Sequence, residues 1–84
     1  MIENKIERVV KLCSDELIRA RAMHRDMNSA HEAYAVILEE LDEFWEEVRM
    51  KKENRSKERM RTELIQTAAM CLRAVIDLRL EDKP

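Results

Sequence analysis

The chain has 84 residues, no glycine, and one proline at its last position. With 40% charged and 45% apolar residues it has the composition of long amphipathic helices, and nothing in it reads as a strand-and-hairpin pair. Sixteen basic and 18 acidic side chains leave a net charge of −2, which excludes a global attraction to nucleic acid or to an anionic membrane. No apolar run approaches the roughly 18 residues of a transmembrane span. Met1-Ile2-Glu3-Asn4-Lys5 has no charged-then-apolar signal pattern, so a cytoplasmic location is expected.

A first helix is predicted over about 2–26. Ile2, Ile6, Val9, Cys13, Leu17 and Ala20 recur at helical spacing, and Val10 and Ile18 widen the stripe. Glu3, Lys5, Glu7, Lys11, Asp15 and Arg19 fall on the opposite face. His24 and Arg25 suit a helix C-terminus, where the dipole favours cations.

Ser29 with Glu32 three residues later is a capping box and starts a second helix over about 30–51. Met27 and Ala33 flank it near the spacing of a hydrophobic staple. The expected core stripe is Ala33, Ile37, Leu41, Phe44 and Val48, broadened by Tyr34, Leu38 and Trp45. His31 is expected to face solvent. Residues 51–57 are polar and basic, a linker in which Asn54 or Ser56 caps the next helix. Lys51, Lys52, Arg55, Lys57 and Arg59 are its candidate phosphate contacts.

The third helix is predicted over about 57–80. Met60, Leu64, Thr67, Cys71, Val75 and Leu78 form one stripe, and Ile65, Ala68, Leu72 and Ile76 a second. Residues 81–84 are a frayed tail. Cys13 and Cys71 both lie on apolar faces and are expected to be buried, reduced thiols. The whole is one helical domain over 1–84, all-α, an antiparallel bundle of three helices. A chain this short buries only about 60% of its unfolded surface. Completion by self-association is therefore expected.

Glu40, Glu43 and Glu47 are spaced i, i+3, i+7, so their carboxylates line one side of the second helix at the border of its apolar arc. Like charges at this spacing cost a few tenths of a kcal/mol per pair, roughly, and a cation held between them reverses the sign. Glu63 and Gln66 flank the third helix in the same way. In an antiparallel pair with its turn centred near residue 53, Glu43 meets Glu63 and Glu40 meets Gln66. Three carboxylates and an amide oxygen form a hard-oxygen cage, which favours Mg²⁺ or Mn²⁺ over zinc. Magnesium keeps several waters and completes its shell from substrate phosphates, so water attack on a phosphoanhydride is the natural chemistry.

Glu39-Glu40-Leu41-Asp42-Glu43 fits EExxE, and Glu63-Leu64-Ile65-Gln66 fits ExxD except at its last position. With the segments 31–38 and 67–70 around them, these residues resemble the MazG-like all-α nucleoside triphosphate pyrophosphohydrolases over about residues 29–80. The resemblance implies magnesium-dependent hydrolysis of a nucleoside triphosphate to the monophosphate and pyrophosphate by a homodimer or homotetramer. By position it makes Glu40, Glu43, Glu63 and Gln66 the metal ligands. Glu39 becomes a further ligand or the residue that orients the attacking water. Gln66 is a departure: it offers one neutral oxygen where a carboxylate carries charge. The alternative function is a non-catalytic helical association module, a relative with a weakened metal site.

Overall fold

A computed structural model describes residues 4–82. It contains three α-helices, α1 (Lys5–Met23), α2 (Ala30–Val48) and α3 (Lys57–Asp77), and a 3₁₀ turn over Lys52–Asn54. There is no strand among the described residues. Ile2 and Glu3 of the first predicted helix, and the last two residues of the tail, lie outside the described part. Each helix is shorter than its hydrophobic pattern, because caps rather than periodicity set the ends. Asn4 accepts from the Ile6 N–H and starts α1. Ser29 Oγ accepts from the Glu32 N–H at 3.1 Å. The returning arm of that box falls one residue early, with Glu32 accepting from the Asn28 N–H at 3.4 Å. Ser56, not Asn54, caps α3 by accepting from the Arg59 N–H. Past Leu78, Arg79 takes a left-handed conformation (φ 57°). The Leu80 N–H then reaches the Val75 carbonyl and the Arg79 N–H that of Ile76. This is a Schellman closure with arginine where glycine is the usual choice.

The third helix is the floor of the molecule, with α2 packed along it and α1 alongside. Glu47 near the end of α2 meets Arg59 near the start of α3, and Glu43 meets Glu63, so these two helices are antiparallel. The buried core sits at the end where the α1–α2 loop crosses α3: Ala20, Met27, Ala33, Ala69, Met70 and Ala74. Alanine from all three helices allows close approach there, and Met27 and Ala33 come together in this core as the staple requires.

A buried ionic knot ties the loop to the floor. The Asp77 side chain has no solvent exposure. It accepts from the Met27 N–H at 2.9 Å and pairs with Arg21 at 3.1 Å and Arg73 at 3.2 Å. Arg73, itself buried, donates to the Arg25 carbonyl at 2.7 Å.

The expected stripes are met in part: Cys13, Leu17 and Ala20 on α1, Ala33, Ile37, Phe44 and Val48 on α2, and Met60, Ile65, Thr67, Ala68 and Leu78 on α3 are buried or half-buried, while other members of each stripe are exposed. On α3 the buried positions are Ala69, Met70, Arg73 and Ala74, while Leu64, Cys71, Leu72, Val75 and Ile76 are exposed. On α2, Leu41 and the indole of Trp45 (56% exposed) face outward, and Tyr34 and Leu38 join them on the same face. On α1, Ile6 (72%), Val9, Val10 and Ile18 are exposed. Small residues, two methionines and the Asp77–Arg73 pair make the inner seam, with Leu17, Val36, Ile37 and Leu78 packed against it. Both cysteines are free, but Cys71 is exposed and Cys13 only half-buried, against the expectation of buried thiols. No helix among the described residues is long and apolar enough to cross a membrane.

Candidate metal centre

The inward line of α2 runs through Ala33, Val36 and Ile37, then Glu40, Phe44 and Glu47. On α3 it runs through Met60, Glu63, Thr67 and Met70. Carboxylates thus occupy positions that pattern reading assigns to Leu41 and Leu64, each one residue away. One rotation of about 100° per residue is enough to exchange them.

The acidic line divides into two parts of different character. Glu47, 5% exposed, is fully compensated. Arg59 donates from Nε at 2.7 Å and from Nη2 at 3.3 Å, and the Ser56 N–H donates at 2.7 Å. The Arg59 hydrogen bond, then that of Ser56, holds this carboxyl below its ordinary range. Its role is to fasten the end of α2 to the start of α3 across the linker.

Glu40, Glu43 and Glu63 have no such partner. One ligand oxygen from each lies within 4.8 Å of the others. Glu40 and Glu63 are half-buried and Glu43 exposed. One oxygen of Glu40 and one of Glu63 are buried with no hydrogen-bond partner. Burial first, and then the charges of Glu43 and Glu63, push the Glu40 carboxyl up to about 7. Glu63 is raised as well, by burial and then by its hydrogen bond and charge contact with Glu43. Magnesium–oxygen bonds of about 2.1 Å link ligands up to about 4 Å apart, so Glu40, Glu43 and Glu63 are the residues that would hold such an ion. Carboxylate oxygens are the hard donors such an ion takes, and one oxygen each of Glu40 and Glu63 is free of any other partner.

Gln66 is half-buried and lines a cleft of about 360 Å³ together with Glu39 and Glu40. Glu39 is exposed at this cleft and is not part of the three-carboxylate cluster. The structure therefore brings together three of the four expected ligands directly, and the fourth shares a cleft with one of them. The cleft lies between α1 and α2 above α3, and its basic lining comes from Arg19, His24, Arg25 and Arg73. None of the linker cations lines it. Arg59 is committed to Glu47. Arg19, on the face of α1 expected to be solvated, pairs with Glu16 at the cleft. The signal for the α1 contribution was available only in the clustering of His24 and Arg25 at a helix end. His31 is exposed, as expected.

Compared with protein-family models, curated proteins and solved structures, the chain matches none.

The raised carboxyls give the metal-free protein a pH signature. A group raised in the fold contributes stability that is full below its ordinary value, 4.5 for Glu40, and is lost as pH rises through about 7. Glu63 acts with the same sign. Thermal unfolding of chelator-treated protein is expected to show stability falling by about 1–2 kcal/mol from pH 5 to pH 8, a value reduced for solvent screening of a half-exposed group. Glu40→Gln should flatten most of that slope. An unchanged slope in this variant would assign it to other groups.

Proposed function

We propose that the chain is a magnesium-dependent nucleoside triphosphate pyrophosphohydrolase of the MazG-like all-α kind, acting on cytoplasmic nucleotides. The observation that carries this reading is the convergence of Glu40, Glu43 and Glu63, with two buried oxygens left unpartnered. Glu40, Glu43 and Glu63 would hold Mg²⁺ or Mn²⁺, with Gln66 contributing a neutral oxygen. When bound, the ion would supply charge neutralisation at the phosphoryl oxygens and polarise water. Glu39, at the cleft but outside the cluster, would orient the attacking water and take its proton. Water adds to phosphorus, the phosphoanhydride bond breaks, and nucleoside monophosphate and pyrophosphate leave.

The test is calorimetric titration of Mg²⁺ and Mn²⁺ with and without a non-hydrolysable nucleoside triphosphate. Binding that strengthens with nucleotide and disappears in Glu40→Ala is the expected result. Absence of binding in both conditions favours the second reading, a non-catalytic association module. Gln66 motivates that reading, and recovery of binding in Gln66→Asp would identify the site as a lost one.

Self-association belongs to either reading. Tyr34, Leu38, Leu41 and Trp45 fall at i, i+4, i+7 and i+11, an exposed apolar stripe along α2. Leu64, Leu72, Val75 and Ile76 form its counterpart on α3. A homodimer or homotetramer covers such faces. Trp45→Glu is expected to shift sedimentation from the oligomer to the monomer, and an unchanged sedimentation coefficient would place the interface elsewhere.

A further inference from the structure

The 360 Å³ cleft carries charge of both signs, and sorting it by what is already engaged leaves a simple pattern. Arg19 is held by Glu16, and it donates to Met23 Sδ as well. Glu32 accepts from the Asn28 N–H. Arg73 is held by Asp77 and the Arg25 carbonyl. Among the described residues, three charged or chargeable lining groups remain without a hydrogen bond or ion pair, Glu39 on α2 and His24 and Arg25 in the loop after α1, while Glu40 bonds only to the carboxyl of Glu43 and keeps one oxygen unpartnered.

These unspent groups are separated along the floor. Gln66, beside the carboxylate end, and Arg73, beneath Arg25, are seven residues apart on α3, about 10 Å of helix axis. The backbone at Arg25 is fixed by the Arg73 hydrogen bond, and that at His24 by a bond from its own N–H to the Ala20 carbonyl. A rigid base therefore presents two free basic side chains at one end of a cleft whose other end is anionic and electron-rich. A ligand that is a cation complex at one end and an anion chain at the other matches both.

We infer that the cleft between α1 and α2 binds the polyphosphate chain of a metal-complexed nucleotide, with Arg25 and His24 as its phosphate contacts. The inference rests on the pyrophosphohydrolase reading for the metal end. It assigns the anion end to the loop after α1 rather than to the basic linker at 51–59. Arg25 reaches phosphate oxygens through a planar guanidinium that donates two parallel hydrogen bonds, and His24 adds a single donor.

The experiment is titration of inorganic tripolyphosphate into the full chain in the presence of Mg²⁺, followed by the same titration in Arg25→Ala and Arg55→Ala. Arg25→Ala keeps the backbone carbonyl that Arg73 uses, and circular dichroism checks that the helices are retained. The expected result is at least a tenfold loss of tripolyphosphate affinity in Arg25→Ala, unchanged binding of Mg²⁺ alone, and wild-type behaviour of Arg55→Ala. Unaltered affinity in Arg25→Ala, or loss in Arg55→Ala instead, overturns the assignment. The metal reading fails separately: tripolyphosphate binding that depends on Arg25 but proceeds without Mg²⁺, and is indifferent to Glu40→Ala, leaves the anion site standing and removes the metal site.

Discussion

Under the proposed pyrophosphohydrolase function, Glu43→Gln is expected to lower hydrolysis by about 10³-fold, roughly 4 kcal/mol of barrier, without unfolding the protein. Glu43 is the exposed member of the cluster and lies between the two half-buried ones. Its charge raises both Glu40 and Glu63. Removing that charge would weaken the hold on the proposed divalent ion and relieve repulsion among the three carboxyls. Activity and stability therefore move in opposite directions. Steady-state kinetics with saturating Mg²⁺, alongside thermal unfolding in chelator, reads both. A variant that loses activity and also melts earlier without metal would mean that Glu43 serves the fold. A variant with full activity would remove it from the metal shell.

That opposition separates this cluster from Glu47. Glu47 belongs to the same i, i+3, i+7 line, and nothing in the sequence marks it as different. Arg59 and the Ser56 N–H nevertheless satisfy it completely. Its depressed carboxyl contributes stability above its ordinary value that is lost as pH falls through the lower folded one, the reverse of Glu40. Acid and alkaline limits on stability thus originate from neighbours on one helix face.

The helices and their partners were legible because their signals are local. Ser29 with Glu32 and Ser56 after a polar run fix helix starts through side chain to backbone bonds a few residues long. The meeting of Glu43 with Glu63 follows from counting outward from the turn. The burial phase was legible only in part: Ala20, Ala33, Ile37 and Phe44 lie inward as their stripes require, and Leu41, Leu64, Cys71 and Val75 do not. Leu41 and Glu40, or Leu64 and Glu63, differ by one residue, and hydropathy alone assigns the leucines to the core. What turns the helices is the close approach of Ala20, Ala33, Ala69 and Ala74, and a buried charge pair of Arg73 and Asp77 that hydropathy assigns to solvent. The same turn carries His24 and Arg25 to the cleft. It leaves the linker cations, the obvious candidates by composition, outside it.

Asp77→Ala is expected to be the most destabilising single substitution, at about 3–5 kcal/mol. One carboxylate accepts the Met27 N–H and balances Arg21 and Arg73 with no solvent contact of its own. Truncation leaves the Arg73 guanidinium, 8% exposed, as an uncompensated buried charge. It also orphans a backbone N–H in the loop that closes the core. Net stability of a chain this length is on the order of 4–12 kcal/mol, so the loss consumes much of it. Arg73→Met in the same background removes the stranded charge and should recover a large part of the deficit, since an apolar replacement of a buried pair is often close to neutral. Urea unfolding of the single and double variants measures this. Asp77→Ala also frees the loop bearing His24 and Arg25 from α3, so tripolyphosphate affinity is expected to fall even under conditions where the variant remains folded. A variant as stable as wild type would mean that the alanine seam, and not the ionic knot, sets the orientation of α1 and its loop on α3.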